Sequence, residues 1–415
     1  MRAPLKPLDE ALADLLAQAV PLLGVERVDT FDADGRVLRE GATSPLQVPP
    51  ADNSSMDGYA VRVADLADLA GPAGTELPVS QRIPAGSAAQ PLAAGTAARI
   101  FTGAPVPAGA DAIVMQEDCE ALQGGERVRI NAMPAAGQWI RRAGEDITRG
   151  AQVLSAGTRL GPAALGLAAS IGLAQLAVSR RPRVALFSTG DELVMPGEVA
   201  PEQLPPGAIY NSNRFFLRAM LRRLGCEVTD LGIVPDRRDA TIDALQGAAA
   251  SHDLILTSGG VSVGEEDHIK PAVEALGELR LWQIAMKPGK PFAYGRIPGA
   301  RVAAHFMGLP GNPVSSFVTF SLLVRPFLLA LQGAADVAPR AMAATAAFDW
   351  PRADKRREFL RVRWNAEGRL ERFGNQSSGV LTSAAWGDGV VDNPAGQTIA
   401  RGDVVRFISF ADLLS

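Results

Sequence analysis

The sequence predicts a multidomain α/β protein built around a central, doubly wound parallel sheet. Three observations carry that expectation. From Arg183 onward, buried apolar runs alternate with amphipathic segments. Before them, from about Gly41, short β-rich runs are broken by Pro and Gly. After Gly333 a second group of short strands follows. The expected organisation is helical pieces at 1–40 and 145–179, an inserted β-rich domain at 41–144, an α/β domain at 180–335 and a small C-terminal β-barrel at 340–415.

Each element has its own signal. Leu8, Leu12, Leu15 and Leu16 have helical spacing, and Pro21 ends that run. Arg99–Phe101, Ala112–Met115 and Arg127–Ile130 read as short strands between turn residues, and Asp57-Gly58 as a hairpin turn. Leu160–Gly172 supplies a helix. In the α/β region, Arg183–Ser188, Glu227–Gly232, Asp253–Ser258, Leu281–Ala285 and Arg301–Gly308 read as strands. The helices are expected around Phe216–Leu224, at Asp239–Ala250 and Ile269–Leu276, and as one long run over Pro313–Leu331. Glu358–Trp364 and Asp403–Ile408 are the clearest C-terminal strands.

Composition narrows the function classes. Hydrophobic residues make up 47 % of the 415, enough for a sizeable core. The net charge of −4, from 41 basic and 45 acidic side chains, gives no electrostatic footprint for nucleic acid or membrane. An anionic ligand must therefore be caught by local groups. Cys119 and Cys226 form neither a disulfide framework nor a zinc spacing, which makes a reducing cytoplasm the expected location. The three histidines are scattered and offer no metal pair. No stretch of about 18 uncharged apolar residues has membrane flanks.

Four motifs in the α/β region fall at strand ends, where ligands bind in such sheets. In STGDEL, Ser188–Leu193, a strand runs into Gly190 and then Asp191 and Glu192, oxygen ligands suited to Mg²⁺, although Asp at a helix start is also a common cap. In TSGGVSVGEED, Thr257–Asp267, the backbone of Ser258, Gly259 and Gly260 has the makings of an anion nest; Ser262 joins that loop and Asp267 adds a carboxylate. The motif is neither a Walker loop nor GxGxxG. In MKPGKPFAYG, Met286–Gly295, Lys287 and Lys290 flank a turn stiffened by prolines, a candidate oxyanion site or simply a solvated basic turn. In GLPGNPVSS, Gly308–Ser316, Asn312 is placed to cap a helix whose first turn holds Pro313, with Ser315 at its anion-favouring end.

Taken together, SSMDGYAV, TGAPVPAGADAIV, STGDEL, SGGVSVGEED, KPGKP and GLPGNPVS, in that order along nearly the whole chain, resemble the MoeA family, which includes the gephyrin C-terminal domain. Ser55 stands where the family more often has Ala. Ser377, in NQSSGVLTS, stands where Gly is more usual. The resemblance implies the molybdopterin-binding fold and an elongated homodimer whose sites use both subunits. It implies adenylylated molybdopterin and molybdate as substrates, a divalent cation such as Mg²⁺, and other molybdenum cofactor synthesis proteins as partners. Carried over by motif, Asp57, Thr102, Asp191, Glu192, Asp236 and Asp267 are the polar active-site candidates, with Asp191, Glu192 and Asp267 as metal ligands. Lys287, Lys290, Pro310, Pro313, Ser315 and Ser378 are expected to touch substrate or molybdate, together with Arg356 or Arg357. Since the dithiolene sulfurs belong to the substrate, no cysteine ligand is required. Two rivals remain at this stage. A pterin adenylyltransferase resembles only the Arg180–Gly333 portion, and a scaffold role lacks a long linker or fused domain.

Overall fold

The computed structural model describes residues 5–66, 74–260, 268–300 and 302–414. The chain divides into two units, residues 41–155 with 162–175, and residues 1–40, 156–161 and 176–415.

The smaller unit is β-rich. Its six-stranded sheet runs, edge to edge, through Ala112–Met115, Gly58–Val61, Ala97–Ile100, Thr75–Ile83, Arg127–Ile130 and Cys119–Leu122. Alternation along these strands places Tyr59, Val61, Val114, Val128 and Ile130 in one core and Ala60, Ala98, Ile100 and Ile113 in another. The Asp57-Gly58 pair is not a hairpin turn. Gly58 opens a strand that pairs with both Ile100 and Met115. A Cβ there would sit 1.9 Å from the Val114 carbonyl oxygen, so the close approach of strands selects Gly. A helix at Pro162–Ser170 completes the unit.

In the larger unit, the central sheet has strand order Glu227–Val234, Arg183–Thr189, Leu254–Ser258, Ala304–Leu309, Pro291–Ile297, Glu278–Gln283. The first four strands are parallel; Arg183–Thr189, Leu254–Ser258 and Ala304–Leu309 read in the sequence as apolar runs because both faces are covered, while the edge strand Glu227–Val234 alternates exposed and half-buried residues. The helices Asn213–Arg223 and Pro313–Leu331 lie on one face with Leu8–Leu16, and Arg238–Ala249 and Ile269–Leu276 on the other. The last two strands depart from the all-parallel expectation. Pro291–Ile297 pairs antiparallel with both neighbours, and Glu278–Gln283 follows it. The segment after Lys290, read as a basic turn, is therefore half strand. A short return across Met286–Lys290 permits only an antiparallel neighbour, since a parallel one needs a long crossover.

Among the described residues, one helix, Pro313–Leu331, is long and apolar enough to cross a membrane, and it is 94 % buried. It is the core helix of this unit. Its middle, Phe320–Val324, is π-helical. Pro326 follows directly and lacks the N–H that would continue the α pattern, which accounts for the local change of pitch. Helix Leu8–Leu16 packs Leu8, Ala11 and Leu15 into the same core, and its leading residue Lys6 pairs with Ile284.

The C-terminal sheet runs Met286–Lys287, Arg357–Trp364, Gly389–Asn393, Val404–Ser409, Ala341–Thr345, with Leu370–Arg372 on the Arg357–Trp364 strand. A bridge between Ala346 and Leu370 joins the free edges and closes a small barrel around Phe348, Leu360, Val362, Val391 and Phe407. Lys287 pairs in register with Glu358, so this barrel and the α/β portion share a strand segment.

Candidate active site

Strand order reverses between Arg183–Thr189 and Leu254–Ser258, whose neighbours on either side are reached over opposite faces of the sheet. A crevice at the carboxyl ends follows from that geometry. It is a cavity of about 560 Å³ walled by Thr189, Glu192, Asn211, Asn213, Asp236 and Ser258, with Gly259, Gly260 and the Pro310–Pro313 turn closing the far side. Gly260 has φ +66°, and a Cβ there would meet Ile269 Cγ1 at 2.5 Å and Thr189 Oγ1 at 2.8 Å. Only Gly lets this loop lie so close to the first strand.

Of the three backbone N–H groups expected to form an anion nest, that of Gly259 is engaged within the sheet. The Gly259 N–H donates to the Leu309 carbonyl at 3.1 Å, continuing the parallel ladder one residue beyond Ser258. Ser258 Oγ accepts from Asn213 Nδ2 at 2.7 Å. Ser258, Gly259 and Gly260 still line the cavity. Ser262 and Asp267 lie outside the described residues.

Of the carboxylates, Glu192 and Asp236 face the cavity together. Asp191 is exposed, and its Oδ1 accepts the Asp236 N–H at 3.4 Å, which ties the two loops. No group of three or more His, Cys, Asp or Glu side chains converges among the described residues. Mg²⁺ keeps several waters and needs only one or two protein carboxylates, so Glu192 and Asp236 fit it, whereas a fully protein-built cage does not form here.

Beside this cavity lies a second, of about 300 Å³, between the α/β portion and the barrel. Asn312, Ser315 and Pro291 line both. Lys287, Lys290, Arg356 and Ser378 line the second alone. The Val314 N–H donates to the Ser378 carbonyl at 2.9 Å, fastening the barrel loop to the start of the core helix. Asn312 holds the N-cap position in extended conformation, but its side chain makes no capping bond and is turned to the cavities instead.

The two lysines are not equivalent. Lys287 Nζ donates to Asp354 at 3.2 Å and to Glu358 at 3.0 Å. Partial burial alone would depress its pKa, but those two carboxylates outweigh it and the net shift is upward. Lys287 is therefore occupied as an ion-pair hub, correcting the picture of two free ammonium groups. Asp354 is clamped from the other side by a bidentate Arg356, at 3.0 and 2.9 Å, and these partners hold its carboxyl well below the usual range. The Lys290 carbonyl accepts the Ile284 N–H at 2.7 Å, but the side-chain ammonium makes no hydrogen bond or ion pair with any described residue, nor do the hydroxyls of Ser315 and Ser378. The cavity wall thus carries three cations, Lys287, Lys290 and Arg356, and the carboxylates of Asp354 and Glu358 pair with two of them from outside the lining, which leaves a surplus of one positive charge.

Arg356 and Arg357 part company where the strand begins: Arg356 lies in the bend before it and Arg357 is its first residue, and successive side chains there point to opposite sides. Arg357 donates to both oxygens of the buried Asp392, at 2.5 and 2.6 Å, and to Asp9 at 2.8 Å. It is a structural ion pair, and only Arg356 reaches the cavity.

In the smaller unit, Asp57 and Thr102 are brought together. They flank the paired strand ends Gly58 and Ile100. Asp57 Oδ1 accepts both the N–H and the hydroxyl of Thr102 at 2.8 Å, which lowers its pKa and keeps it ionised.

Three residues escaped the sequence reading. Arg361 is buried without a carboxylate partner, its pKa pushed down to about 10 by burial. It donates to Ser383 Oγ and to the carbonyls of Phe359 and Ser377, pinning the loop that carries Ser378. Asn211 precedes and Asn213 opens the helix Asn213–Arg223, in a run, Tyr-Asn-Ser-Asn, whose only sequence signal is that of a cap. Neither cysteine contributes: burial pushes both thiols up to about 12.

This architecture and these motifs match known proteins over almost the whole chain. Residues 6–172 match the MoeA N-terminal region (domain I and II), 185–330 a probable molybdopterin binding domain, and 343–410 the MoeA C-terminal region (domain IV). The molybdopterin molybdenumtransferase of Haemophilus influenzae is 42 % identical over 331 residues, covering 79 % of this chain and 78 % of the relative. Molybdopterin molybdenumtransferase 2 of Mycobacterium tuberculosis is 39 % identical over 381 residues, 88 % of this chain and 90 % of the relative. A crystal structure of the molybdopterin biosynthesis moeA protein from Pyrococcus horikoshii superposes with a TM-score of 0.83 at 28 % identity, covering 98 % of this chain and all of that one. With its strand-end cavity, its cationic neighbour and the closed C-terminal barrel in this company, the chain belongs to the MoeA family of molybdopterin molybdenumtransferases.

Proposed function

We propose that the chain inserts molybdenum from molybdate into adenylylated molybdopterin, releasing AMP, as a Mg²⁺-dependent homodimer in the cytoplasm. The observation that carries this reading is the pair of adjoining cavities with opposite character. One presents Glu192 and Asp236, the other Lys290 and Arg356, and Asn312 and Ser315 belong to both. Molybdate is a tetrahedral dianion and needs several convergent donors with at least one compensating cation. The surplus charge of the second cavity, the unbonded Lys290 ammonium and the free hydroxyls of Ser315 and Ser378 supply them. The carboxylates, which would repel molybdate, stand in the first cavity.

Glu192 and Asp236 would hold Mg²⁺, with Asp191 and Asp267 as further candidates. The ion would neutralise the pyrophosphate linkage of the substrate and favour departure of AMP. Asp191 keeps the Asp236 loop in place through its backbone bond. Pro310 and Pro313 stiffen the turn that separates the two anion-binding regions.

The test is to incubate the purified protein with adenylylated molybdopterin, molybdate and Mg²⁺. AMP release with formation of active cofactor is expected. ATP consumption with plain molybdopterin would indicate an adenylyltransferase instead, and neither activity would leave a scaffold.

The homodimer reading rests on the family resemblance and gives the Asp57–Thr102 pair a role, presented by one copy to the cavity of the other. Co-expressing Asp57→Ala and Glu192→Ala chains is expected to restore part of the activity that each lacks alone, since a mixed dimer carries one intact site. A monomer at assay concentration in sedimentation would end this reading.

A further inference from the structure

Two carboxamides in the wall of the larger cavity belong to none of the motifs assigned so far. Asn211 is 2 % exposed and Asn213 7 %. Asn211 Oδ1 accepts the Arg214 N–H at 3.2 Å, where the helix Asn213–Arg223 begins. Only an oxygen can accept an N–H, so that bond fixes the orientation of the amide. Its Nδ2 is then buried with no hydrogen-bond partner among the described residues. Asn213 is fixed the other way round. Its Nδ2 donates to Ser258 Oγ and to the Gly311 carbonyl, both at 2.7 Å, and Oδ1 has no partner among the described residues. Flipping it would set oxygen against oxygen at Gly311. Buried amide groups are nearly always satisfied, so two orphans in one cavity wall point to a ligand that satisfies them.

We propose that Asn211 and Asn213 read the nucleotide part of the substrate, Asn211 Nδ2 donating to a phosphate oxygen and Asn213 Oδ1 accepting from a ribose hydroxyl or base N–H. This rests on the proposed function and specifies its substrate contacts. A donor beside a helix N-terminus suits a phosphate oxygen, because the helix field favours the same charge. An acceptor repels such an oxygen and requires a partner that carries hydrogen. Phosphate alone leaves Asn213 Oδ1 unpaired, whereas a nucleotide satisfies both groups. Glu192 and Asp236 supply acceptors only, so an inward amide donor such as Asn211 Nδ2 complements them.

Asn211→Asp preserves the bond to the Arg214 N–H and the buried volume while reversing the inward group from donor to anion. It is expected to raise KM for adenylylated molybdopterin by about tenfold or more, the size of one hydrogen bond to a charged group, with little change in kcat; its buried carboxylate lowers the melting temperature, and the neutral Asn211→Ala, which also loses the donor, is expected to raise KM likewise. AMP and inorganic pyrophosphate, used as competitive inhibitors, are expected to weaken alike in Asn211→Asp. Asn213→Ala is expected to weaken inhibition by AMP by roughly tenfold and to leave pyrophosphate within about twofold. An unchanged KM for Asn211→Asp overturns the inference while the proposed function stands. So does absence of AMP inhibition in the unmodified chain, or equal loss of AMP and pyrophosphate in Asn213→Ala. If the unmodified chain releases no AMP from the pterin adenylate, it is the proposed function that fails.

Discussion

Replacing Arg357 with alanine is expected to cost about 3 kcal/mol of folding stability, the usual consequence of stripping one partner from a buried ion pair. Asp392 is 2 % exposed, and Arg357 engages both of its oxygens. Arg406 is the only other cation on it among the described residues, through one bond at 3.3 Å from a side chain that is itself 63 % exposed. The adjacent Arg356→Ala is expected to behave oppositely. It leaves Asp354 bonded to Lys287 in a partly open cleft, so stability changes by less than about 1 kcal/mol. It also removes one of three cations from the proposed molybdate site, so molybdate is used less efficiently, as it is in Lys290→Ala. Urea unfolding measures the first pair of effects, and the dependence of AMP release on molybdate concentration the second. If Arg357→Ala unfolds like the parent chain while Arg356→Ala collapses, the sides of the strand have been assigned the wrong way round.

The second large effect is catalytic. The double change Glu192→Gln with Asp236→Asn keeps the size of both side chains and removes both described carboxylates from the larger cavity. AMP release is expected to fall by on the order of 10² or more, the scale seen when groups that organise charge around a transition state are lost. Far-ultraviolet circular dichroism and melting temperature are expected to stay at parent values, and added Mg²⁺ to have lost its accelerating effect. Parent-like turnover with an intact Mg²⁺ response would remove these two residues from the reaction.

The three inner parallel strands were legible because each is an apolar run bounded by polar loops, the trace of a sheet covered on both faces, and the edge strand Glu227–Val234 because its residues alternate. Pro291–Ile297 was not, since its entrance is two lysines and three turn residues whose local chemistry says loop. Only pairing with Ala304–Leu309 makes it a strand. The site divides in the same way. Glu192, Asp236, Asn312 and Ser315 sit at strand or helix ends and follow from topology. The role of Lys287 does not, because the carboxylates that occupy it lie 67 and 71 residues further along the chain. Arg356 and Arg357 are indistinguishable as a dipeptide and separate only once the strand register gives each a face. Asn211 and Asn213 look like capping residues until Ser258 and Gly311 come to lie beside Asn213.

The packing of Leu8–Leu16 against the core helix also has a consequence for biosynthesis. The Lys6 N–H donates to the Gln283 carbonyl, the Ala285 N–H donates back to Lys6, and Leu8, Ala11 and Leu15 are buried in the cluster that includes Phe327 and Leu328. A nascent chain therefore presents an amphipathic helix whose apolar face, Leu8, Ala11 and Leu15, has a docking surface translated about 300 residues later, ahead only of the barrel. At ordinary elongation rates the interval is roughly 15 to 60 s, long compared with the microseconds in which a helix forms. The first helix must wait at the ribosome surface as a sticky end, a natural client for a holdase, and the Pro313–Leu331 segment emerges onto a sheet already complete. Synonymous codon changes that slow translation between these segments are expected to lower soluble yield without altering the finished enzyme.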